Sequence, residues 1–428
     1  MENRYDKYKD SGIAWIGEIP EHWEVCSIKQ IMKNKSIKGF PNETVLSLYR
    51  DFGIIPKDSR DDNHNVTSED TSNYKLVENG DFVINKMKAW QGSMAISDFK
   101  GIISPAYYIC KIFNPKVVRK YIHYLLRDES YKAEYMRLST GMRIGQWDLN
   151  IDDFLQINTI LPLLSEQQSI ATYLDQKCGE IDELITMQEE MITKLQSYKQ
   201  SVITEAVTKG LDKNVPLKDS GIEWIGKIPE HWDVKRLKYF GNNYNGLTYS
   251  PNDICNSQEG TIVLRSSNIK DNKLCFDDNV YVNKEIPTKL FVNKGDILIC
   301  SRNGSASLIG KAALIETDIK ATFGAFMMIF KGNNIHHKYL YYIVTSCISQ
   351  YKWLFTTATI NQLTSSMLGE IFAPFICDRL EQQSIADYLD QKCSEIDELI
   401  SIKQQKIEKL KDYKKSLIFE CVTGKRKV

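Results

Sequence analysis

The sequence predicts an α+β chain built from two copies of one unit, each with an α/β block followed by a long helix. Two repeats support this prediction. The segment SGIAWIGEIPEHWEV at residues 11–25 returns as SGIEWIGKIPEHWDV at 220–234, with three changes. The longer segment EQQSIATYLDQKCGEIDELI at 166–185 returns as EQQSIADYLDQKCSEIDELI at 381–400, with two changes. A repeat of about half the chain is too long for a solenoid, so a domain and its helix have been duplicated.

The order of the segments divides the chain into four parts. We expect a first block at 1–160, a first long helix at 161–210, a second block at 211–375 and a second long helix at 376–428. Within the blocks, DFVINK (81–86) and DILICS (296–301) follow a Gly and have the composition of buried strands. SPAYYICKIF (104–113) and TFGAFMMIFK (322–331) are further matching strand candidates, and RKYIHYLLRD (119–128) and HKYLYYIVTS (337–346) are matching helices. The two blocks therefore share a fold although most of their residues differ.

Each longer repeat predicts a helix. Ser165 with Gln168, and Asp378 with Glu381, have the spacing of a capping box. No Pro interrupts 165–209, and Gly210 suits the C-terminal end. About 44 residues give a rod of roughly 66 Å. Apolar residues recur at a spacing of three or four: Ile181, Leu184, Met191, Leu195, Tyr198 and Val202 in the first helix, and Ile396, Leu399, Leu410, Tyr413 and Leu417 in the second.

Such a wide apolar stripe on a long rod requires a partner, and the twin helix is the obvious one. Two copies of one fold on such a rod create a pseudo-two-fold arrangement. The alternative is that each helix packs separately on its own block.

Composition limits the class of protein. With 42% hydrophobic and 26% charged residues, the 428-residue chain is typical of soluble globular proteins. We expect no membrane span and no secretory signal, because no apolar run is long enough and the N-terminus is polar. The ten cysteines include no C-x-x-C pair, which favours free thiols in a reducing cytoplasm. The net charge of zero argues only weakly against nucleic-acid binding, because a neutral domain can place its basic residues on one face.

Signatures of catalysis, cofactors and metals are missing from the sequence. It contains no G-x-G-x-x-G, no H-E-x-x-H and no [DN]-P-P-[YF]. GSASLIGKA (304–312) differs from a phosphate loop in its spacing and in Ala312, so a Gly-rich turn between strands is expected. His22 and His231 are expected to pack or cap a turn beside Trp23 and Trp232. We therefore expect no catalytic, metal-binding or cofactor-binding residues in this chain.

On these residues the sequence resembles the specificity subunits of type I restriction–modification systems. The resemblance rests on both repeats, on the NGDFVI and KGDILI strands, and on STGMRIGQWDLN (139–150). It implies that each block is a target recognition domain that reads one half of a split double-stranded DNA site. It also implies that the long helices form an antiparallel coiled coil.

The resemblance further implies partners. Two methylation subunits would carry S-adenosylmethionine and methylate adenine, and two motor-nuclease subunits would use ATP and Mg. A fused DNA-modifying enzyme, and a coiled-coil scaffold that does not read DNA, remain as alternatives.

Polar residues in the loops after the Gly-Asp strands, and in the segments before the long helices, are the candidates for DNA contact. Arg suits guanine, whereas Asn and Gln suit adenine. For each residue an ordinary solvated role remains open, and Trp90 and Trp147 suit either base stacking or packing. The candidates are Lys86, Lys88, Gln91, Arg143, Gln146, Arg302, Asn303, Ser305, Asn361 and Gln362.

Overall fold

A computed structural model describes residues 4–49, 53–60, 67–68, 70–141, 147–257, 259–355 and 362–428. The chain forms two compact units. Unit 1 consists of Met1–Glu189 with Gln404–Val428, and unit 2 is Glu190–Lys403. Each unit therefore contains the second part of the long helix that begins in the other unit.

Helices make up the long repeats and flank the sheets. In chain order they are α1 (Arg119–Arg127), α2 (Glu129–Leu138), α3 (Ile151–Gln156), α4 (Leu164–Lys209), α5 (His337–Gln350), α6 (Lys352–Phe355), α7 (Ser365–Glu370) and α8 (Arg379–Val422). The predicted helices at 119–128 and 337–346 are confirmed as α1 and α5, and the two long helices as α4 and α8.

The strands of unit 1 are short and mostly antiparallel. They are β1 (Tyr8–Asp10), β2 (Glu18–Pro20), β3 (Glu24–Ser27), β4 (Met32–Lys35), β5 (Leu46–Tyr49), β6 (Gly53–Pro56), β7 (Lys75–Val77), β8 (Phe82–Asn85), β9 (Met94–Ile96), β10 (Gly101–Ile103), β11 (Tyr107–Ile112), β12 (Ser139–Thr140), β13 (Asp148–Leu149) and β14 (Asn158–Leu161). The main sheet has the order β4-β11-β8-β9, and β3 pairs with β14 at the base of the block.

Unit 2 repeats this plan. Its strands are β15 (Leu217–Asp219), β16 (Lys227–Pro229), β17 (Asp233–Arg236), β18 (Gly241–Asn245), β19 (Ile254–Cys255), β20 (Thr261–Leu264), β21 (Ile269–Lys270), β22 (Lys273–Leu274), β23 (Val280–Val282), β24 (Ile297–Cys300), β25 (Ala312–Leu314), β26 (Ala321–Phe323), β27 (Met327–Gly332) and β28 (Phe372–Phe375). The sheet β18-β27-β24-β25 matches that of unit 1 strand for strand. A second sheet, β19-β23-β20-β26, contains the parallel pair β20–β26.

The long helices pair antiparallel within each unit. In unit 1 the Lys414 ammonium lies 2.7 Å from the Asp182 carboxylate, and Ile181 and Leu417 share one buried cluster. In unit 2 Lys199 lies 2.7 Å from Asp397 in the corresponding way. Each helix therefore pairs with its twin. The alternative in which each helix packs only on its own block is wrong.

The predicted apolar stripe is only partly buried. Ile181, Val202, Ile396 and Leu417 are buried. The other positions include an exposed group: Leu184, Met191, Tyr198, Leu399 and Tyr413. Helical spacing alone misplaced this group, because the face that a long helix buries changes where its neighbours change along its length.

The predicted helix ends are right at the C-terminus and partly wrong at the N-terminus. Gly210 ends α4 with a φ of +73°. Asp378 caps α8 by accepting the Leu380 N–H at 2.9 Å, but α4 begins at Leu164, so Ser165 is not its cap. Glu166 instead accepts the backbone N–H of Leu163 at 3.3 Å. Neither predicted capping box forms as a reciprocal pair, because the Gln168 amide contacts Thr172 and the Glu381 carboxylate contacts His231 and Trp232.

Candidate nucleic-acid interface

The first residue of each longer repeat joins it to a shorter repeat. In unit 1 the Glu166 carboxylate lies 2.9 Å from His22 Nε2, and the Trp23 indole N–H donates to it at 3.5 Å. In unit 2 Glu381 lies 3.1 Å from His231 and accepts from Trp232 at 3.0 Å. The two histidines thus orient a carboxylate at a helix start, a more specific role than the expected packing or capping.

The buried tryptophans of the shorter repeats also touch the glycines that end the long helices. A Cβ on Gly210 would lie 3.2 Å from the Trp232 ring. A Cβ on Gly424, which ends α8, would lie 3.0 Å from the Trp23 ring. The Tyr8 hydroxyl donates to the Gly424 carbonyl at 3.0 Å. Each shorter repeat therefore receives the start of one long helix and the end of the other.

A buried glutamine in each longer repeat fixes the start of a flanking helix. The Gln167 amide donates to the carbonyls of Lys116 and Pro162, both at 2.9 Å, and its oxygen accepts the Val118 N–H at 2.8 Å. Gln382 bonds to Ile376 and His336 in the same manner, both at 2.8 Å. Val118 and His336 are the N-cap residues of α1 and α5, so these amides position both helices.

An aspartate about two turns further along each long helix completes the attachment. Asp175 pairs with Lys120 and accepts the Tyr124 hydroxyl at 2.9 Å. Asp390 pairs with Lys338 and accepts the Tyr342 hydroxyl at 2.8 Å. Burial, reinforced by the nearby carboxylates, raises the pKa of both tyrosines above the usual value. These contacts recur in both units and hold each block on its long helix. The units differ instead at the far ends of their sheets.

In unit 1, lysine side chains lie around a tyrosine ring near the end of β8. The Lys86 and Lys75 ammonium nitrogens lie 4.6 and 5.7 Å from the Tyr108 ring centroid, and Lys75 donates to the Tyr107 carbonyl at 2.6 Å. Burial and the neighbouring Lys86 and Lys38 lower the pKa of Lys75. Among the described residues, no carboxylate lies within 4.0 Å of either Lys75 or Lys86. This cluster suits an anion such as a DNA phosphate.

The other candidates of this loop lie on the short 3₁₀ helix 86–91. Lys88 is exposed and Gln91 is half-buried. Trp90 and Trp147 pack edge to face with centroids 5.1 Å apart, and the Trp90 indole N–H donates to the Met87 carbonyl at 3.1 Å. The two tryptophans thus pack against each other, as the packing interpretation expects.

In unit 2 the end of β24 carries an arginine and an aromatic ring. The Arg302 guanidinium donates to the Gln362 side-chain oxygen and lies 5.9 Å from the Phe326 ring centroid. The structure therefore brings together two candidates that are far apart in sequence. Phe326 is 61% exposed, so the ring and the guanidinium present one mixed surface to solvent.

The remaining candidates in unit 2 have local partners. The Asn303 amide donates to Ser266 at 3.2 Å and accepts the Ser305 N–H at 3.0 Å, which favours a turn-forming role. The Ser305 hydroxyl is 2.8 Å from that of Ser307. Three further candidates, Arg143, Gln146 and Asn361, lie outside the described residues.

Sequence reasoning missed Lys75, Tyr108 and Phe326. Tyr108, on β11, and Phe326, directly before β27, reach the site because β11 pairs with β8 and β27 pairs with β24. Lys75 lies on β7, which pairs with β10. For Tyr108 and Phe326 the available signal was an aromatic residue at or near the start of β11 and β27, in AYY and GAF. An antiparallel partner that starts where the Gly-Asp strand ends places these rings beside the loop.

Within the described ranges, no group of three or more His, Cys, Asp or Glu side chains is placed to hold a metal ion. The part of the chain that the structure describes contains no helix long and apolar enough to cross a membrane. All ten cysteines are free. Residues 304–312 connect β24 to β25 with a 3₁₀ turn, as expected for a Gly-rich connection.

Comparisons with known proteins place this architecture. Residues 20–194 and 229–412 each match the family described as type I restriction modification DNA specificity domain. The type I restriction enzyme MjaVIII specificity subunit of Methanocaldococcus jannaschii is 25% identical over 427 residues, which cover 96% of this chain and 94% of that protein. The type I restriction enzyme EcoKI specificity subunit of Escherichia coli K12 is 26% identical over 206 residues, or 47% of this chain and 44% of that protein.

Solved structures share the fold. A chain solved in work on complex assembly and conformational transition of the type I R-M system has a TM-score of 0.71 at 14% identity, covering 94% of this chain and 98% of that one. The HsdS subunit from Thermoanaerobacter tengcongensis has a TM-score of 0.50 at 13% identity, covering 95% and 98%. The two-unit architecture is therefore common to these chains.

Proposed function

Because this chain belongs to the type I restriction modification DNA specificity domain family, whose model matches both halves of the sequence, we propose that the chain reads a bipartite, asymmetric DNA site. Each unit reads one half-site. The observation that carries this proposal is one scaffold with two different sheet ends. The same four-stranded sheet ends in Lys86 and Tyr108 in unit 1, and in Arg302 and Phe326 in unit 2.

The proposal separates what is repeated from what is read. Glu166, Gln167 and Asp175 make the same contacts as Glu381, Gln382 and Asp390, so the attachment of each block is independent of its recognition surface. Cation–aromatic pairs at the sheet ends supply both phosphate contacts and base contacts. We propose that the chain itself is non-catalytic.

The repeated helices supply equal surfaces for two equal partners. In unit 1, Leu184, Met187 and Tyr413 are each more than 40% exposed on the helix pair. In unit 2, Leu399, Ile402 and Tyr198 occupy the corresponding positions and are also more than 40% exposed. Exposed apolar side chains that recur in this way mark an interaction site. Each surface docks one adenine-methylating subunit that carries S-adenosylmethionine, and the motor-nuclease subunits with ATP and Mg join through that complex.

DNA binding is tested by gel shift of the full chain with its methylation subunit at several salt concentrations. Binding that weakens as salt rises is expected, because Lys and Arg displace counterions from phosphates. Absence of binding would favour the scaffold without DNA readout. Methyl transfer by the chain alone would favour the fused enzyme.

Docking is tested by charge placed on the apolar surfaces. We expect the Tyr413→Asp variant to bind one methylation subunit instead of two. We expect the double variant, Tyr198→Asp with Tyr413→Asp, to bind none. The mass of the complex measures the number bound. Gln196→Asp with Lys411→Asp is the matched control, because these residues lie two positions before the tyrosines and are exposed on a different helix face. Full complexes with both tyrosine variants would contradict the proposed surface.

A further inference from the structure

We propose that Arg302, held by Gln362, reads a guanine in the half-site that unit 2 recognises. This inference rests on the proposed function and adds the identity of one base. It also assigns Gln362 as a positioning residue, which acts through Arg302.

The backbone around Arg302 is fixed from two sides. The N–H groups of Ser301 and Arg302 both donate to the Phe326 carbonyl, at 3.0 and 3.1 Å. On the other side the Leu363 N–H donates to the Ser301 carbonyl at 2.8 Å, and Arg302 and Gln362 form an isolated antiparallel bridge. The loop therefore presents Arg302 from a rigid base, which precise reading of a base edge requires.

The side chain is oriented while its charge remains available. One guanidinium N–H group donates to the Gln362 oxygen, a neutral acceptor. Among the described residues, no carboxylate lies within 4.0 Å of the Arg302 guanidinium. Arginine has five N–H donors in a fixed fork, so four remain for a ligand. Guanine offers two acceptors, O6 and N7, which such a fork contacts together.

The surroundings favour a base over a phosphate. Phe326 lies beside the guanidinium and is 61% exposed. An exposed ring suits the edge of a base pair, where apolar side chains contact the thymine methyl group. In unit 1 the same position, two residues after the end of the strand, is Met87. The guanine contact is therefore specific to unit 2 and contributes to the asymmetry of the site.

The test is a selection of binding sites from random duplex DNA by the full chain in complex with its methylation subunit. The sites selected by the wild type and by the variants are compared. Arg302→Lys keeps the charge but removes the fork. We expect one guanine position of one half-site to lose its preference, a loss of about 5- to 150-fold in discrimination, with the salt dependence unchanged. Arg302→Ala should lose the same preference.

Gln362→Met removes the oxygen that holds Arg302 and keeps the guanidinium charge. We expect it to weaken the preference at that same position and leave the salt dependence unchanged.

Arg379→Lys is the matched control, since Arg379 is also exposed in unit 2 and also donates to an amide oxygen, that of Asn334, at 3.0 Å. Its selected site should equal that of the wild type.

The outcomes separate this inference from the proposed function. An Arg302→Lys site identical to that of the wild type would overturn the guanine contact, as would an Arg302→Ala variant that weakens binding equally for all sequences. An unchanged Gln362→Met site would overturn the positioning role. A wild-type complex that selects no site at all would instead refute the proposed function.

Discussion

Replacing Gln167 by Ala tests whether the longer repeat holds the block of unit 1 in place. The side chain is buried and makes three hydrogen bonds, to Lys116, Pro162 and Val118, at 2.8–2.9 Å. Alanine would leave two carbonyls and one N–H without these partners. Because Val118 is the N-cap of α1, the loss would also loosen the start of that helix.

The size of the effect follows from the three lost bonds. Each contributes about 1 kcal/mol net, and a buried group left without a partner costs about 1–3 kcal/mol. We therefore expect Gln167→Ala to lower the free energy of unfolding by about 2–4 kcal/mol. For a unit of this size, that lowers its melting temperature by roughly 4–16 °C. Differential scanning calorimetry of the full chain measures the shift.

Gln168→Ala is the matched control, because the neighbouring Gln168 is exposed and its amide makes a single 3.4 Å contact with Thr172. Its effect should stay within about 0.5 kcal/mol, as for ordinary surface changes. Equal melting temperatures for Gln167→Ala and Gln168→Ala would refute the role of the buried amide.

Two further predictions concern pH and the duplicated helix. Burial and the adjacent Arg127 lower the pKa of His123 to about 3, and its neutral Nδ1 accepts the Ile96 N–H at 3.2 Å. The pKa of His123 is lower in the folded chain than in the unfolded chain, so the unfolded chain takes up the proton first as the pH falls. About 2 kcal/mol of the free energy of unfolding, present above pH 6.5, is therefore lost by pH 5. Urea unfolding at both pH values should show a smaller loss for His123→Asn, and an equal loss would contradict the mechanism. A chain of residues 1–210 lacks the 404–428 segment, and we expect residues 190–210 of a second copy to take its place. Sedimentation should therefore show a dimer. A folded monomer at high concentration would rule this out.

The architecture was predictable because its signals are local or repeated. The two repeats placed both long helices, and the Gly-Asp pairs placed the central strands β8 and β24. The division of each long helix between two units was not visible in the sequence. Leu184 and Tyr413 continue the apolar spacing yet are exposed, since spacing does not show where along a helix its cover ends.

The candidate site was predictable only in part. Lys86 and Arg302 were identified from their place after a strand, a local signal. Their neighbours Tyr108 and Phe326 come from the adjacent strand, so only the strand pairing brings them close. The roles of all these residues in DNA contact stay predictions.

The central claim is that each unit reads its own half of one DNA site. Sequencing of methylated adenines in a host that expresses this chain with its methylation subunits tests it most directly. We expect one bipartite motif with two different halves, and exchange of block 211–375 for that of a related chain should change one half only. A single undivided motif, or a change in both halves, would contradict it.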